Sequence, residues 1–239
     1  MFMKAKISIF LSLLLGTGLC AQNAPPQNAQ KKAPADPSLA PVEEVAGLPR
    51  VLLIGDSISM GYTIPVREFL KDKANVLRVL ENAGDSARGI AKLDAWLGGK
   101  KWDAIHFNFG LHDLKYLDET GKYVSPDQGK QVASLTQYEA NLRQIVERLK
   151  KTGAKLIWAS TTPVPEGSLG RVKSDELKYN ETALKVMKEY GVAIDDLHTV
   201  VTEGPADMQI PKNVHFTKDG YQILARSVAA SIEMALAKR

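Results

Sequence analysis

Two residues raise the question of chemistry. Ser57 ends the apolar run "RVLLIGDS", and His215 lies in "IPKNVHFTKDGY" near the C-terminus. A serine hydroxyl attacks an acyl carbon only when a base takes its proton, and histidine titrates in the range that suits this task. Taken alone, Ser57 reads as readily as a helix cap that accepts a backbone N–H from the turn that follows. The four histidines differ in their surroundings. His106 alternates with apolar neighbours and reads as a packed core residue. His198 sits in a segment of weak pattern and carries no assignment. His215 is flanked by apolar Val214 and Phe216, which can anchor its loop, and Thr217 after it can cap a helix.

The elements that must position these residues alternate along the chain. "RVLLIG", "NVLRVLENAG", "WDAIHFNFG", "KLIWASTTP" and "VAIDDL" have the apolar character of buried strands. Between and after them, "IPVREFLKDK", "RGIAKLDAWLGG", "SLTQYEANLRQIVERLKKTGA", "SDELKYNETALKVMKEYG" and "TKDGYQILARSVAASIEMAL" repeat their apolar residues at helical spacing. Thr136 and Glu139 predict a capping box, and Gly153 and Gly191 predict helix stops. Strands alternating with helices imply right-handed crossovers and a three-layer α/β/α sandwich on a five-stranded parallel, flavodoxin-like sheet. Ligands of such sheets bind beyond the carboxyl ends of the strands. Gly55-Asp56-Ser57, Asn82-Ala83-Gly84, Gly110-Leu111-His112-Asp113 and Thr161-Thr162-Pro163 all stand at such ends. Distant segments are therefore expected to meet at one edge, with His215 over it.

Composition narrows the class. The chain has 239 residues, a net charge of +4 and 24% charged residues, with both signs interspersed. The basic patch that nucleic acid requires is missing from this pattern. Residues 1–21 join Lys4 and Lys6 to the apolar run "ISIFLSLLLGTGL", which is short for a membrane span and reads as a secretory signal. Residues 22–47, rich in Pro, Ala and Gln, read as a disordered linker, and 48–239 as one domain. The protein is thus expected to be extracytoplasmic, periplasmic or secreted, with no membrane span. Cys20, the only cysteine, could carry a lipid anchor, although Leu19 before it is larger than such signals favour. No dinucleotide or phosphate-loop motif and no zinc-ligand spacing appears, so no cofactor and no metal is expected.

The blocks Gly55-Asp56-Ser57, Asn82-Ala83-Gly84, Gly110-Leu111-His112-Asp113 and "VHFTKDGY", in that order, resemble those of the SGNH (GDSL-type) hydrolase family over roughly residues 50–236. The resemblance implies Ser57 as nucleophile, His215 as general base, and backbone N–H groups of Ser57 and Gly84 as oxyanion donors. The third donor of the family is an Asn; here His112 stands at that position, and its use depends on tautomer. The family also places an Asp three residues before its histidine, where this chain has Lys212. A backbone carbonyl, or one of Asp195, Asp196 and Asp207, would then have to orient His215, unless activity has been lost.

Lesser expectations complete the reading. Asp113, Arg88 and Tyr62 are candidate substrate contacts, with ion pairing or packing as the alternatives. Trp158 and Tyr116 could line a sugar platform. The segment "VPEGSLGRVKSDE", residues 164–176, should overhang the same edge as a substrate rim. The expected function is serine esterase action on short acyl, especially acetyl, esters of carbohydrate. The rival is a catalytically degenerate glycan-binding protein of the same fold, favoured only by Lys212.

Overall fold

The computed structural model describes residues 36–237; the N-terminal apolar segment, Cys20 and the linker as far as residue 35 lie outside the described residues. After a single 3-10 turn at Pro37–Leu39, the chain runs through β1 (Arg50–Ile54), α1 (Ser57–Phe69), β2 (Asn75–Arg78), α2 (Ser86–Leu97) and β3 (Ala104–Phe107). A short antiparallel pair follows, β4 (Tyr116–Leu117) and β5 (Lys130–Gln131), then α3 (Leu135–Lys150), β6 (Lys155–Ala159), α4 (Glu176–Tyr190), β7 (Ala193–Asp195), α5 (Leu197–Thr202) and α6 (Lys218–Ala237).

The main sheet has the order β2-β1-β3-β6-β7, and every pairing is parallel. Val51 to Ile54 and Ala104 to Phe107 are buried throughout, as strands covered on both faces must be. Helix α1 packs on α6; α2 packs on α3, and α3 on α4. The sheet is therefore the middle layer of an α/β/α sandwich, as its alternating pattern predicts. The chain reverses its winding between β1 and β3. A crevice opens there at their carboxyl ends, between the turn that carries Ser57 and the turn that carries His112.

Two details differ from the sequence-based boundaries. Residues 36–47 are not a free linker: the Asn75 side chain accepts from Val45 N–H at 2.8 Å and donates to the carbonyls of Val45 and Leu48. This segment thus lies against the start of β2, and the folded unit begins upstream of 48. The long helix α3 is capped by Ser134, which accepts from Gln137 N–H, and not by Thr136. Glu139 turns outward to Arg143 and Lys185 and so closes no capping box. Gly191, in the left-handed region at φ 67°, ends α4 as its position predicts.

Helix α6 closes the fold over α1. At Gly61 a Cβ atom would lie 2.2 Å from the ring of Tyr221, so only glycine admits this contact. The ring of Phe216 meets Tyr221 edge-on at 5.7 Å, and Val214 and Phe216 are buried. These contacts anchor the loop that carries His215 to the helix that begins at Ser57.

A buried cation fixes the turn between β1 and α1. Arg78, 4% exposed, donates to the carbonyls of Val79, Gly55 and Glu81 and to the hydroxyls of Ser59 and Thr63. Burial lowers its pKa to about 10. No carboxylate lies within ion-pair distance of it among the described residues; neutral oxygens carry the whole solvation of the charge. Removing the guanidinium strips partners from several buried groups together. Arg78→Met is predicted to cost about 3 kcal/mol or more of unfolding free energy, read by urea denaturation.

Candidate active site

The turn after β1 answers the ambiguity of Ser57. Asp56 is the cap of α1, its carboxylate accepting from Ile58 N–H at 2.9 Å. Ser57 is the first residue of the helix, so its own N–H has no intrahelical acceptor and points with the positive end of the helix dipole. Its hydroxyl is free of capping duty. Nε2 of His215 stands 2.8 Å from Ser57 Oγ, across 158 residues of sequence.

The hydrogen-bond pattern determines the tautomer of His215. Asn213 Oδ1 lies 3.1 Å from the backbone N of His215 and 2.8 Å from its Nδ1. A backbone N–H only donates, so the Asn213 atom facing it is the carbonyl oxygen and not the amide nitrogen. The same oxygen must then accept from Nδ1–H. Nε2 is left as the acceptor, facing the serine hydroxyl, which is the state a general base requires.

None of the carboxylates considered from sequence does this. Asp195 pairs with the buried His106 at 3.0 Å and accepts from Ser227. Asp196 caps α5 and accepts from Ser160. Asp207 offers only its backbone carbonyl, to Thr217. Lys212 occupies the tip of the 209–216 turn in the left-handed region, φ 57°, and its side chain lies against Gly167. The turn presents residue 213, not 212, to the imidazole. Asn213 is the residue that sequence reading missed; its signal is an Asx side chain two positions before the histidine, the reach that closes an Asx turn.

His112 also has its tautomer set. Lys115 Nζ lies 3.2 Å from its Nδ1. An ammonium is donor only, so Nδ1 accepts and Nε2 carries the proton. Burial lowers the pKa of His112, and the nearby Lys115 and Arg171 charges add to this, outweighing the attraction of Asp56 and Asp85. A neutral imidazole with an Nε2–H donor is therefore the state at neutral pH. Gly84 adopts φ 68°, a conformation that favours glycine, and its N–H donates to Asn82 Oδ1 at 2.9 Å.

The three candidate substrate contacts have other roles. Tyr62 is 2% exposed, on the buried face of α1 and edge-on to His106, so it cannot meet a substrate. Asp113 is completely buried: it accepts from Ser86 N–H at 3.0 Å and from Ser86 Oγ at 2.5 Å, while Asn141 donates to the same hydroxyl. It ties the His112 turn to the start of α2, just after Gly84, and positions both. Arg88 lies along Gly84 and forms an ion pair with Glu81 at the surface. Trp158 is buried in the sheet, which excludes a sugar platform there. The 164–176 segment does reach the edge, joined to the β4–β5 hairpin by Tyr116 N–H donating to Gly170 O at 2.7 Å.

Residues 53–223 match the GDSL-like lipase/acylhydrolase family. The chain belongs to that family. Its members are ester-bond hydrolases, and this chain is one of them. The fold agrees. A lipase/acylhydrolase from Enterococcus faecalis superposes with a TM-score of 0.65 at 17% identity, covering 80% of this chain and 99% of that one. An acetyl xylan esterase, AlAXEase, gives 0.62 at 14% identity, covering 77% and 99%. TesA gives 0.60 at 18% identity, covering 78% and 99%. No curated protein matches the chain.

Two measurements follow from this geometry. Asn213→Ala should reduce kcat/KM on a short aryl ester about 10- to 100-fold, with Asn213→Asp retaining more activity, because the acceptor for Nδ1–H is lost in the first and kept in the second. Asp113 is raised by burial from 3.8 to about 7. Folding thus favours its protonated form, and its stabilising contribution is full below pH 3.8 and falls as pH rises towards 7. The melting temperature of wild type relative to Asp113→Asn should drop across that interval and level off above it.

Proposed function

We propose that this chain is an extracytoplasmic serine esterase that removes short acyl groups, acetyl foremost, from carbohydrate. The observation that carries the catalytic part is the 2.8 Å contact of Ser57 Oγ with the unprotonated Nε2 of His215. Ser57 attacks the ester carbonyl as Nε2 takes its proton. The oxygen that gains charge is met by the N–H groups of Ser57 and Gly84 and by Nε2–H of His112, with Asn82 Oδ1 giving up its bond to Gly84 as the oxyanion arrives. Preorganised donors of this kind are commonly the largest single contribution to acyl transfer. The imidazolium then protonates the departing sugar hydroxyl. Water, activated by the same Nε2, cleaves the acyl-enzyme and restores Ser57.

Asn213 holds the ring but brings no negative charge to the imidazolium. The N-terminal end of α1 contributes a compensating field at the oxyanion. The binding-only alternative rested on Lys212; an oxygen of Asn213 in place of the carboxylate supports catalysis over it. A polar surround of Asn82, His112, Lys115, Arg171 and Asn213 favours a sugar ester over a long acyl chain. The apolar run in residues 1–21 supports export.

Ser57→Ala and His215→Ala should each lower kcat on 4-nitrophenyl acetate and on an acetylated oligosaccharide by about 1,000-fold or more. His112→Ala should lower kcat about 100-fold with little change in KM. Full activity in Ser57→Ala would overturn the assignment. Mass spectrometry of the mature N-terminus after expression in a bacterial host tests export: an uncleaved chain beginning at Met1 counts against it.

A further inference from the structure

We propose that the rim beside His112 is a binding subsite for an anionic group, a carboxylate or a sulfate, carried by the substrate close to the scissile ester. The proposal deepens the esterase reading and rests on it. Its basis is a pair of cations held against one aromatic ring. Lys115 Nζ lies 5.2 Å from the centroid of Tyr123, and the Arg171 guanidinium 5.6 Å from the same centroid. Several other surface cations meet carboxylates, Arg143 with Glu139 and Glu189, Lys178 with Asp175, Lys185 with Glu139 and Lys173 with Glu166; what sets Lys115 and Arg171 apart is that both lie against one ring. Neither Lys115 nor Arg171 has a carboxylate within 4.0 Å among the described residues. Two like charges beside one ring repel each other, and an anion between or above them would offset that repulsion.

The donors are also aimed and incompletely used. Arg171 Nε donates to Leu111 O at 3.0 Å and Nη1 to Leu169 O at 3.3 Å. These bonds fix the plane of the guanidinium and leave Nη2 without a partner among the described residues. Lys115 spends one proton on His112 Nδ1 and keeps two. Close packing holds the wall rigid. A Cβ at Gly170 would lie 2.4 Å from the Tyr123 ring, and the Tyr116–Gly170 hydrogen bond joins the two rim segments. A site whose donors are already fixed loses little entropy on binding.

The subsite is near the reaction. From Lys115 Nζ through the His112 ring to an oxygen bonded at Nε2 is at most about 8 Å, two hydrogen-bond lengths and the width of an imidazole. An anionic substituent on the acylated sugar or on its neighbour would reach it. The substrate class is therefore an acyl ester of an acidic saccharide, and Arg171, able to grip a carboxylate or sulfate through a planar fork, is its main determinant.

The test compares kcat/KM on three acetylated oligosaccharides: a uronate, a sulfated one and a neutral one. Wild type should favour one or both acidic substrates over the neutral one by about 10-fold or more, and the two acidic arms identify which anion is read. Arg171→Gln should reduce that preference about 10-fold, and Arg171→Lys should restore part of it. The preference should also shrink as salt rises from about 0.05 M to about 0.5 M, by screening of the ion pair. Equal rates on acidic and neutral substrates, or a preference unmoved by Arg171→Gln and salt, would overturn the proposal. Equilibrium binding of the same oligosaccharides to Ser57→Ala separates the two readings. Selective binding of an acidic one without turnover by wild type upholds the subsite and defeats the esterase. Binding blind to charge defeats the subsite whatever the activity.

Discussion

Arg78 reaches from the end of β2 across to the turn after β1, and the placing of Ser57 depends on it. The guanidinium is buried with no carboxylate beside it among the described residues, so five oxygens must stay where they are to solvate it. Two of those oxygens, Gly55 O and Ser59 Oγ, flank Ser57 in sequence. A buried charge tolerates little displacement of its partners, because each lost hydrogen bond returns part of the desolvation cost. The turn is rigid for that reason, and the first turn of α1 inherits its direction. A second buried network, Asn141–Ser86–Asp113, does the same for the opposite wall of the crevice. Two of the three side chains that sequence reading would assign to substrate, Asp113 and Tyr62, are instead buried beneath the crevice.

Around that frame, two histidines hold opposite tautomers, and each is set by one neighbour. Asn213 accepts from Nδ1 of His215 and leaves Nε2 basic; Lys115 donates to Nδ1 of His112 and leaves Nε2 acidic. One ring is ready to take a proton and the other to share one. The choice of neighbour has a cost in each case. An amide oxygen orients an imidazole without stabilising its cation, and burial, with the repulsion of the ammonium beside it, keeps His112 neutral. At residues 212 and 112, where the chain departs from the family pattern, an adjacent side chain fixes the tautomer of the histidine concerned, Asn213 for His215 and Lys115 for His112.

The rim is where this chain differs from the minimal sheet and its helices. The β4–β5 hairpin and the 164–176 segment lie outside the main sheet, and they bring Tyr123, Lys115 and Arg171 together beside the crevice. Their polar and cationic character, against the apolar core beneath, is what the substrate would meet first.

Much of the fold could be read from the chain itself, because strands buried on both faces and helices with one apolar stripe leave local periodicity. Val51–Ile54, the long α3 and the Gly191 stop are of this kind. The meeting of Ser57 and His215 at one edge was also readable, since a strand end and an anchored loop before the last helix are local features. The short β4 and β5, of two residues each, have no period to detect, and Ser134 outcompeted Thr136 as a cap through a start point that sequence leaves open by a turn. Burial of Asp113, Tyr62 and Trp158 is a property of what packs over them, which no single segment contains. The residue that orients His215 was hidden for the same reason. Residues 212 and 213 are both within three positions of His215, and the left-handed backbone at Lys212, in the 209–216 turn, accompanies Asn213 at the ring and Lys212 turned away against Gly167.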